Sequence, residues 1–295
     1  MYRTLNQYFR EKYGHRIHKI TISLPFACPN KDGSISSDGC IFCREGSLPD
    51  GNDTKIPVEK QIRAGINKGK KRFGKKTLFM AYFQTGTNTY GSVKELKKIY
   101  DPILNFKEVI GLDVGTRPDC IDDEKVNLLK SYSGSLKEIW VELGLQSGND
   151  KTLKAINRGH NAAEYARAAE LVKGAGLKLC AHMIIGIPGE SRKDYINTIN
   201  MIIKSGADAV KIHPYHILKD TKAGEEYLKK PYKLLTLEEY ADALVECVKL
   251  MPAGMVLMRF HGEANENVLL APDYCLPKKR DELKAVFEEK LKKLR

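Results

Sequence analysis

The chain has 295 residues, of which 42% are hydrophobic and 29% charged, and no apolar run approaches the roughly 20 residues that a membrane-spanning helix needs. Its seven cysteines are an odd number, and the polar N-terminus lacks the apolar stretch of a secretory signal, which argues against a disulfide-stapled secreted domain. Lys and Arg outnumber Asp and Glu by 49 to 37, a net charge of +12. From the length, the composition and the N-terminus, we expect a soluble, cytoplasmic protein with one large domain.

Apolar runs rich in β-branched residues alternate with amphipathic stretches along residues 16–217. The runs predict strands at 16–24, 77–83, 108–115, 137–145, 177–186 and 209–217, and the stretches between them predict helices at 58–72, 92–100, 122–131, 162–174 and 192–205. Units of strand and helix in series form a parallel sheet with right-handed crossovers. Clear repeats end near Leu218, so the sequence predicts an α/β fold with six such units rather than a full eight-unit barrel.

Polar or glycine-rich segments follow five of the predicted strands. They are the loop 28–43, "QTGTNTYG" at 84–91, "TRPDC" at 116–120, "QSGND" at 146–150 and "GIPGE" at 186–190. Because ligands bind at the carboxyl ends of parallel strands, we expect these segments to form one continuous site.

The first of these segments contains three cysteines, Cys28, Cys40 and Cys43. The last two form a CxxC pair, a spacing that lets two thiolates reach one metal centre. A structural zinc site needs a fourth ligand, which His15, His18 or a distant cysteine has to supply. An iron–sulfur cluster with three cysteine ligands keeps one iron open for a small molecule. The residues alone leave a cluster, a zinc ion and free thiols as alternatives.

Basic residues concentrate in two segments. Residues 67–76 hold six basic and no acidic side chains, and residues 278–295 hold eight basic and four acidic ones. Such clusters suit a polyanion such as RNA, whose phosphates attract Lys and Arg, but solvated helix faces have the same composition.

A cysteine triad that ends Cys-x-aromatic-Cys after the first strand of a β/α array resembles the radical S-adenosylmethionine (SAM) superfamily. The commonest spacing there is CxxxCxxC, whereas the eleven-residue first gap here is similar to the longer loops of Elongator-protein-3-like members. "GTRPD", "ELGLQS", "INRGH" and "IIGIPGE" also resemble the branch of Elongator protein 3 and oxygen-independent coproporphyrinogen oxidase. The resemblance implies a partial (β/α)6 TIM-like barrel in residues 1–225 and a C-terminal helical extension, packed on it, in residues 226–295.

The resemblance also implies the cofactors and their ligands. Cys28, Cys40 and Cys43 correspond to the ligands of a 4Fe–4S cluster whose fourth iron is chelated by SAM. The residues that correspond to SAM-binding positions are Phe42 beside the adenine, Gln84 and Thr85 with Asn88 at the amino group, Gln146 and Arg158 near the ribose and carboxylate, and Gly186 and Ile187 with backbone groups at the adenine. The alternatives without a role in SAM binding are a core aromatic for Phe42, a polar turn for 84–88, a surface ion pair for Arg158 and a simple β/α turn for "GIPGE". No catalytic acid or base is assigned.

Several other residues on or near the strands have two readings. Glu142 either faces the site or pairs with a lysine, and His182, His213 and His216 either contact substrate or are hydrogen-bonded core and rim residues. Cys120, Cys180, Cys247 and Cys275 are expected to be buried or incidental thiols, with Cys275 in "APDYCLPKK" as a candidate for exposure.

The family's chemistry implies that an electron from flavodoxin or ferredoxin leads to cleavage of SAM into methionine and a 5′-deoxyadenosyl radical, which removes a hydrogen atom from the substrate. "GCIFC", "FQTGTNTYG" and "GTRPDCI" resemble a small bacterial subgroup similar to MnmL, which implies a tRNA partner and modification of a wobble-uridine side chain. Two alternatives stay open. One is a radical SAM enzyme that acts on a small molecule or a peptide, and the other is a non-catalytic, zinc-stabilised RNA-binding protein.

Overall fold

The computed structural model describes residues 2–24, 27–44, 55–84 and 86–293. The strands are β1 (Arg3–Thr4), β2 (Ile17–Ile22), β3 (Leu78–Phe83), β4 (Val109–Thr116), β5 (Glu138–Gln146), β6 (Lys178–Ile185), β7 (Ala209–Pro214), β8 (Ile217–Leu218), β9 (Val256–Arg259) and β10 (Leu269–Ala271). The α-helices are α1 (Leu5–Tyr13), α2 (Val58–Phe73), α3 (Val93–Tyr100), α4 (Asp123–Ser131), α5 (Asp150–Ala155), α6 (Ala162–Gly174), α7 (Arg192–Lys204), α8 (Lys222–Lys229), α9 (Leu237–Leu250) and α10 (Arg280–Lys293).

Eight parallel strands form one curled sheet in the order β1, β9, β7, β6, β5, β4, β3, β2. All six predicted strands are present as β2 to β7, and consecutive members of that series are neighbours in the sheet. The predicted fold class, a partial TIM-like barrel of α/β type, is confirmed. The sheet does not close, because β2 and β1 are its two edges among the described residues.

The five predicted helices are α2, α3, α4, α6 and α7, each within one residue of its expected bounds. Their apolar faces and the outer face of the sheet form the largest core cluster, which includes Ile62, Ile66, Leu112 and Ile199. Side-chain caps fix where several of these helices begin, as Ser92 does for α3 by accepting a hydrogen bond from the backbone N–H of Glu95.

The N-terminal helix closes one end of the half-barrel. Tyr8 and Phe9 of α1 pack with Ile17, Trp140 and Val256 in a second core cluster. Strands β1 and β9 were not predicted, because runs of two and four residues carry no readable period. None of the helices among the described residues is long and apolar enough to cross a membrane.

The C-terminal part of the chain adds a strand to the main sheet as well as helices. Residues 226–295 contain α9 and α10, and they also contribute β9, which pairs in parallel with β7 and β1. Strand β10 pairs with β8 in a separate two-stranded sheet. The domain division at residue 225 remains a prediction.

Candidate functional site

The cysteine loop follows β2 and is held by its own backbone. The N–H groups of Lys31 and Asp32 donate to the carbonyl of Cys28 at 2.7 and 3.1 Å, and the N–H of Cys43 donates to the carbonyl of Cys40 at 2.9 Å. All three thiols are free; Cys40 is buried, Cys28 half-buried and Cys43 exposed. These turns direct the three cysteines of one loop to the end of the half-barrel where the strands finish.

N–H donors surround the most buried of the three sulfur atoms. The side-chain amide of Asn30 lies 3.6 Å from Cys40 Sγ, and Nη1 of Arg158 lies 3.5 Å from the same atom. The other end of the Arg158 fork donates to the carbonyl of Gly144 at 2.7 Å. Such donors stabilise the negative charge of a thiolate ligand. The structure therefore brings Arg158 of "INRGH" to the cysteine loop.

Gly144 makes this approach possible. A Cβ atom at that position would lie 2.7 Å from Nη2 of Arg158 and 2.8 Å from Nε2 of Gln146, too close for either group to remain. Gln146 itself has a positive φ of 73°, which turns the chain at the end of β5. Two of the predicted SAM-binding side chains, Arg158 and Gln146, therefore both pack against Gly144 of "ELGLQS".

A second buried guanidinium, which the sequence did not single out, lies near the loop. Arg117 of "GTRPD" is 3% exposed and donates to both oxygens of Asp119, at 2.9 and 2.7 Å. Burial lowers the pKa of Arg117, but the hydrogen bonds and charge of Asp119 and the charges of Cys28 and Cys40 more than offset this, so the pKa is raised. The "GTRPD" pattern was the only available signal, and it did not indicate which of its residues approaches the cysteines.

The donor set fits a 4Fe–4S cluster with three cysteine ligands. Three thiols converge from one loop, and two buried guanidinium groups lie within electrostatic reach of them. His15 and His18 precede or begin β2, whereas the loop follows the end of that strand, so neither histidine supplies a fourth ligand for zinc.

The four remaining cysteines are all buried: Cys120, Cys180, Cys247 and Cys275. The expectation that Cys275 is exposed is wrong, because its side chain belongs to the main core cluster. Burial raises the pKa of Cys120, which follows the "GTRPD" turn, to about 12.

The other predicted SAM-binding residues lie around the same end of the sheet, and their roles stay predictions. Phe42 and Ile187 belong to one apolar cluster, which brings the loop and the "GIPGE" turn together. Gly186 has a positive φ of 94° at that turn. Gln84 follows β3 and is half-buried, whereas Thr85 lies outside the described residues.

Asn88 has a structural role. Its side-chain amide donates to the carbonyls of Phe83 at 3.1 Å and Gly115 at 2.7 Å, so it joins the ends of β3 and β4. Asn88 is fully buried. These contacts engage its amide nitrogen, whereas Oδ1 is buried without a partner among the described residues, so a role as acceptor for SAM stays a prediction.

A charged network lies inside the half-barrel, centred on Glu142 of β5. The carboxylate accepts hydrogen bonds from Lys19 at 2.9 Å, Lys211 at 2.6 Å, Tyr82 at 2.8 Å and His182 at 2.7 Å. Lys19 also forms an ion pair with the buried carboxylate of Asp113. We call these six residues the interior network. Of the two interpretations of Glu142, the network shows the pairing with lysines. It also shows that His182 is hydrogen-bonded within the fold.

Burial and neighbouring charges shift the pKa values within the network, and burial together with the charge of Glu142 raises the pKa of Asp113 to about 7. Burial opposes ionisation of Glu142, but the charges of Lys19 and Lys211 and the hydrogen bond from His182 outweigh it, so the pKa of Glu142 lies well below its usual value. Burial lowers the pKa of Lys211, with Glu142 acting in the opposite direction. Glu142, Cys180 and His182 are close enough to share a metal ion, but two ammonium groups already bind this carboxylate and would repel a cation.

The interior network lies below the contact between Arg158 and Gly144, because Glu142 belongs to the same strand, β5, as Gly144. Gly144, which accepts from Arg158, is two residues beyond Glu142, and alternate residues of a strand share a face. Arg158 in turn reaches Cys40. Sequence reasoning missed Lys19, Tyr82, Asp113 and Lys211 because single polar residues in apolar strands carry no pattern.

A cavity of about 340 Å³ opens between the two edges of the sheet. Its walls come from the start of β2, the end of β9 and the start of α1, and its basic lining residues are Arg16, His18, Lys19, Arg259 and His261. Lys19 belongs to both the cavity and the interior network, so the two adjoin. We call this the edge cavity.

Two family models match the chain. The model of the radical SAM superfamily matches residues 28–202, and that of the radical SAM C-terminal domain matches residues 207–292. Protein YhcC of Escherichia coli K12 is 36% identical over 266 residues, which cover 90% of this chain and 84% of YhcC.

Similarity extends to other proteins over shorter lengths or at lower identity. A tRNA uridine(34) acetyltransferase of Methanocaldococcus infernus is 26% identical over 182 residues, 61% of this chain and 33% of that enzyme. The structure of an N-terminally truncated Elp3 from the same archaeon aligns with a TM-score of 0.70 at 19% identity, over 93% of this chain and 63% of its own length. That likeness is one of fold.

Proposed function

This chain belongs to the radical SAM superfamily and is an enzyme of that type, and we propose that it cleaves SAM at a 4Fe–4S cluster bound by Cys28, Cys40 and Cys43 in order to modify a tRNA. The observation that carries the proposal is the contact of Arg158 and Asn30 with Cys40, which joins the cysteine loop to the strand-end segments. When bound, the cluster and SAM supply a 5′-deoxyadenosyl radical that removes a hydrogen atom from the substrate.

The chain's own residues bind and orient the cofactor. Two nitrogens of Arg158 hold the Gly144 carbonyl, and Nη1, next to Cys40, would meet the carboxylate of SAM. Phe42 and Ile187 form an apolar surface for the adenine, and the backbone of Gly186 offers it hydrogen bonds. Below them, the buried carboxylate of Glu142 binds the ammonium groups of Lys19 and Lys211.

A tRNA substrate is supported by the similarity to a tRNA uridine(34) acetyltransferase and by the net charge of +12. Our proposal is the carboxymethylaminomethyl side chain of a wobble uridine. Its methylene carbon lies between a nitrogen and a carboxylate, and both groups stabilise a carbon radical. A flavodoxin or ferredoxin is the proposed electron donor. A small molecule or a peptide is the second candidate substrate, since it would require the same cofactor site.

The cofactor part is tested with anaerobically reconstituted protein. We expect brown protein with iron and sulfide, and formation of 5′-deoxyadenosine under dithionite. Cys28→Ala, Cys40→Ala or Cys43→Ala should each abolish both, whereas Cys247→Ala in α9 should retain them. SAM cleavage by a variant in which all three cysteines are Ala would overturn the assignment. Colourless protein with one zinc ion would favour the non-catalytic, zinc-stabilised RNA-binding protein.

The substrate part is tested separately. Mass spectrometry of tRNA from a deletion strain should reveal one altered wobble nucleoside, which the reconstituted enzyme then converts in vitro. An unchanged nucleoside profile together with intact SAM cleavage would remove tRNA and leave the smaller substrates.

A further inference from the structure

The two basic segments differ in how their charges are compensated. Just before α10, Lys279 pairs with Glu282 at 2.7 Å; within α10, Lys293 pairs with Glu289 at 2.6 Å, and Lys290 reaches both Glu238 and Asp242. The end of α2 and the turn after it present five exposed basic residues that form no ion pair with any described residue: Lys68, Lys71, Arg72, Lys75 and Lys76. Only Lys70 in this segment is paired, with Glu108 at 2.6 Å. The uncompensated positive charge therefore lies at α2.

An exposed aromatic stack stands among these charges. The ring of Phe73 is stacked on that of His18, with centroids 3.8 Å apart and planes inclined by 13°. The guanidinium of Arg72 lies 5.1 Å from the Phe73 centroid. Phe73 is nevertheless 46% exposed, although it is one of the most apolar side chains of the molecule. Packing within the chain does not account for a large aromatic ring kept at the surface.

The stack borders the edge cavity. His18 lines that cavity together with Arg16 and Lys19, and Lys19 continues into the interior network. β2 is an edge strand, so this side of the half-barrel is not covered by another strand of the sheet among the described residues. A path of basic and aromatic groups therefore runs from the exposed end of α2, over His18, to Lys19.

We propose that the end of α2 and the edge cavity form a docking surface for single-stranded RNA, with Phe73 and His18 as a stacking platform. An unpaired base displaces the Arg72 guanidinium from the Phe73 ring and extends the stack, neighbouring phosphates contact Lys71, the released Arg72 and Arg16, and the next nucleotide enters the edge cavity toward Lys19. Bases of a duplex stack on each other, so this platform selects a loop. A volume of about 340 Å³ lies in the range of small-ligand pockets, roughly 300–1,000 Å³. The inference rests on the proposed tRNA substrate and adds a docking surface for it at the opposite end of β2 from the cysteine loop.

The test compares a hairpin RNA with a seven-nucleotide loop and a blunt duplex with the same number of phosphates, by fluorescence anisotropy at about 50 mM salt. The reconstituted full chain is used. Phe73→Ala should weaken binding of the hairpin roughly 5- to 150-fold, because stacking on one aromatic contributes about 1–3 kcal/mol per base. It should leave the affinity for the duplex nearly unchanged. Phe73→Trp, which keeps an aromatic plane, should bind the hairpin like the wild type.

Leu104→Ala is the matched control, because Leu104 is 45% exposed and lies between α3 and β4. It should change neither affinity. Equal hairpin affinity of the wild type and Phe73→Ala would overturn the docking surface and leave the tRNA substrate standing. Failure of the wild type to bind either RNA would overturn both, while SAM cleavage without substrate would show that the cofactor site is intact.

Discussion

Among single residues, Glu142 is the one whose surroundings are most demanding. It is fully buried and accepts four hydrogen bonds, two of them from lysine ammonium groups. Taking such charges out of water costs several kcal/mol per ion, and the cost is offset only while every partner is present. Glu142 therefore matters to stability chiefly because its absence takes the paired carboxylate from the buried Lys211 and leaves Lys19 with Asp113 alone.

Replacement of Glu142 by Leu should lower the free energy of unfolding by roughly 3–5 kcal/mol, because Lys19 and Lys211 lose the carboxylate between them. Urea denaturation followed by circular dichroism measures this. Glu289→Gln is the control, since Glu289 forms an exposed pair with Lys293 and its replacement should leave stability nearly unchanged. Similar midpoints for the two variants would contradict a stabilising role for the interior network.

Arg158 should act mainly on SAM, because Asn30 remains as a second donor at Cys40 Sγ when the guanidinium is removed. Arg158→Ala should weaken SAM binding about ten- to hundredfold, the effect of losing one charge-assisted contact of roughly 1.5–3 kcal/mol. Calorimetry measures the affinity, and iron analysis checks that the cluster content is unchanged. Arg158→Lys keeps the charge but loses the fork, so it should recover only part of the affinity. Unaltered SAM affinity in a folded Arg158→Ala protein would remove Arg158 from the site.

Glu190 of the "GIPGE" turn should make stability depend on pH. Burial raises the pKa of Glu190 from 4.5 to about 7, although Ser147 donates a hydrogen bond to it. The folded protein then holds a proton that the unfolded chain releases, so this contribution is full below about pH 4.5 and is lost as the pH rises through about 7. Between pH 5 and 8, the Tm should fall more steeply with rising pH for the wild type than for Glu190→Gln. Parallel curves would show that Glu190 ionises normally.

At the level of the helices, α2 packs closely on the sheet because it carries glycines at one face. A Cβ atom on Gly65 would lie 3.0 Å from Cγ1 of Ile20, and one on Gly69 would lie 2.6 Å from Cζ of Phe79. This close approach fixes the end of α2 against the beginning of β2 and β3, where Phe73 meets His18.

Gly69→Ala should therefore destabilise the protein by about 1–3 kcal/mol through overpacking, against its gain in helix propensity of about 1 kcal/mol. Gly174→Ala at the end of α6 is the matched control, because no atom lies within 4 Å of its added Cβ. It should leave the protein as stable as before or slightly more stable. Thermal denaturation compares them, and a rise in Tm for Gly69→Ala would show that α2 can move away from the sheet.

For the molecule as a whole, the net charge of +12 is less informative than its distribution. The acidic neighbours of α10 compensate much of its charge, whereas at the end of α2 only Lys70 has an acidic partner, Glu108, among the described residues. Counterion release depends on the charges that phosphates can reach. The α2 segment should therefore dominate the salt dependence of RNA binding.

Charge reversal at Lys68, Lys71 and Lys75 should weaken tRNA binding and flatten the fall of log affinity with log salt by about 0.7–0.9 per lost phosphate contact. Reversal at Lys284, Lys292 and Lys293 of α10 is the matched control and should change the slope less. Titrations between about 50 and 200 mM salt measure both. An equal loss of slope in the two variants would assign the contacts to both segments.

The sequence by itself determined the parts of the structure that depend on neighbouring residues. Strands β2 to β7 and five helices follow from local hydrophobic periods, which hold over six to sixteen residues. The cysteine loop and the strand-end segments follow as well, because a parallel sheet brings the carboxyl ends of its strands to one edge. The family could also be identified from those segments, since their residues and spacings are written in the chain.

Only the tertiary structure decided which polar groups meet. Glu142 binds Lys19, Tyr82 and Lys211 across 123, 60 and 69 residues, and no local pattern encodes such pairs. The same holds for Arg117 beside the cysteines and for the edge strands β1 and β9, which are too short to show a period. The ion pairs of Lys290 with Glu238 and Asp242 and of Lys70 with Glu108 also depend on acidic residues that folding brings into range. Side-chain contacts between distant segments form only once the sheet and helices are packed, and that packing selected the interior network and the exposed end of α2.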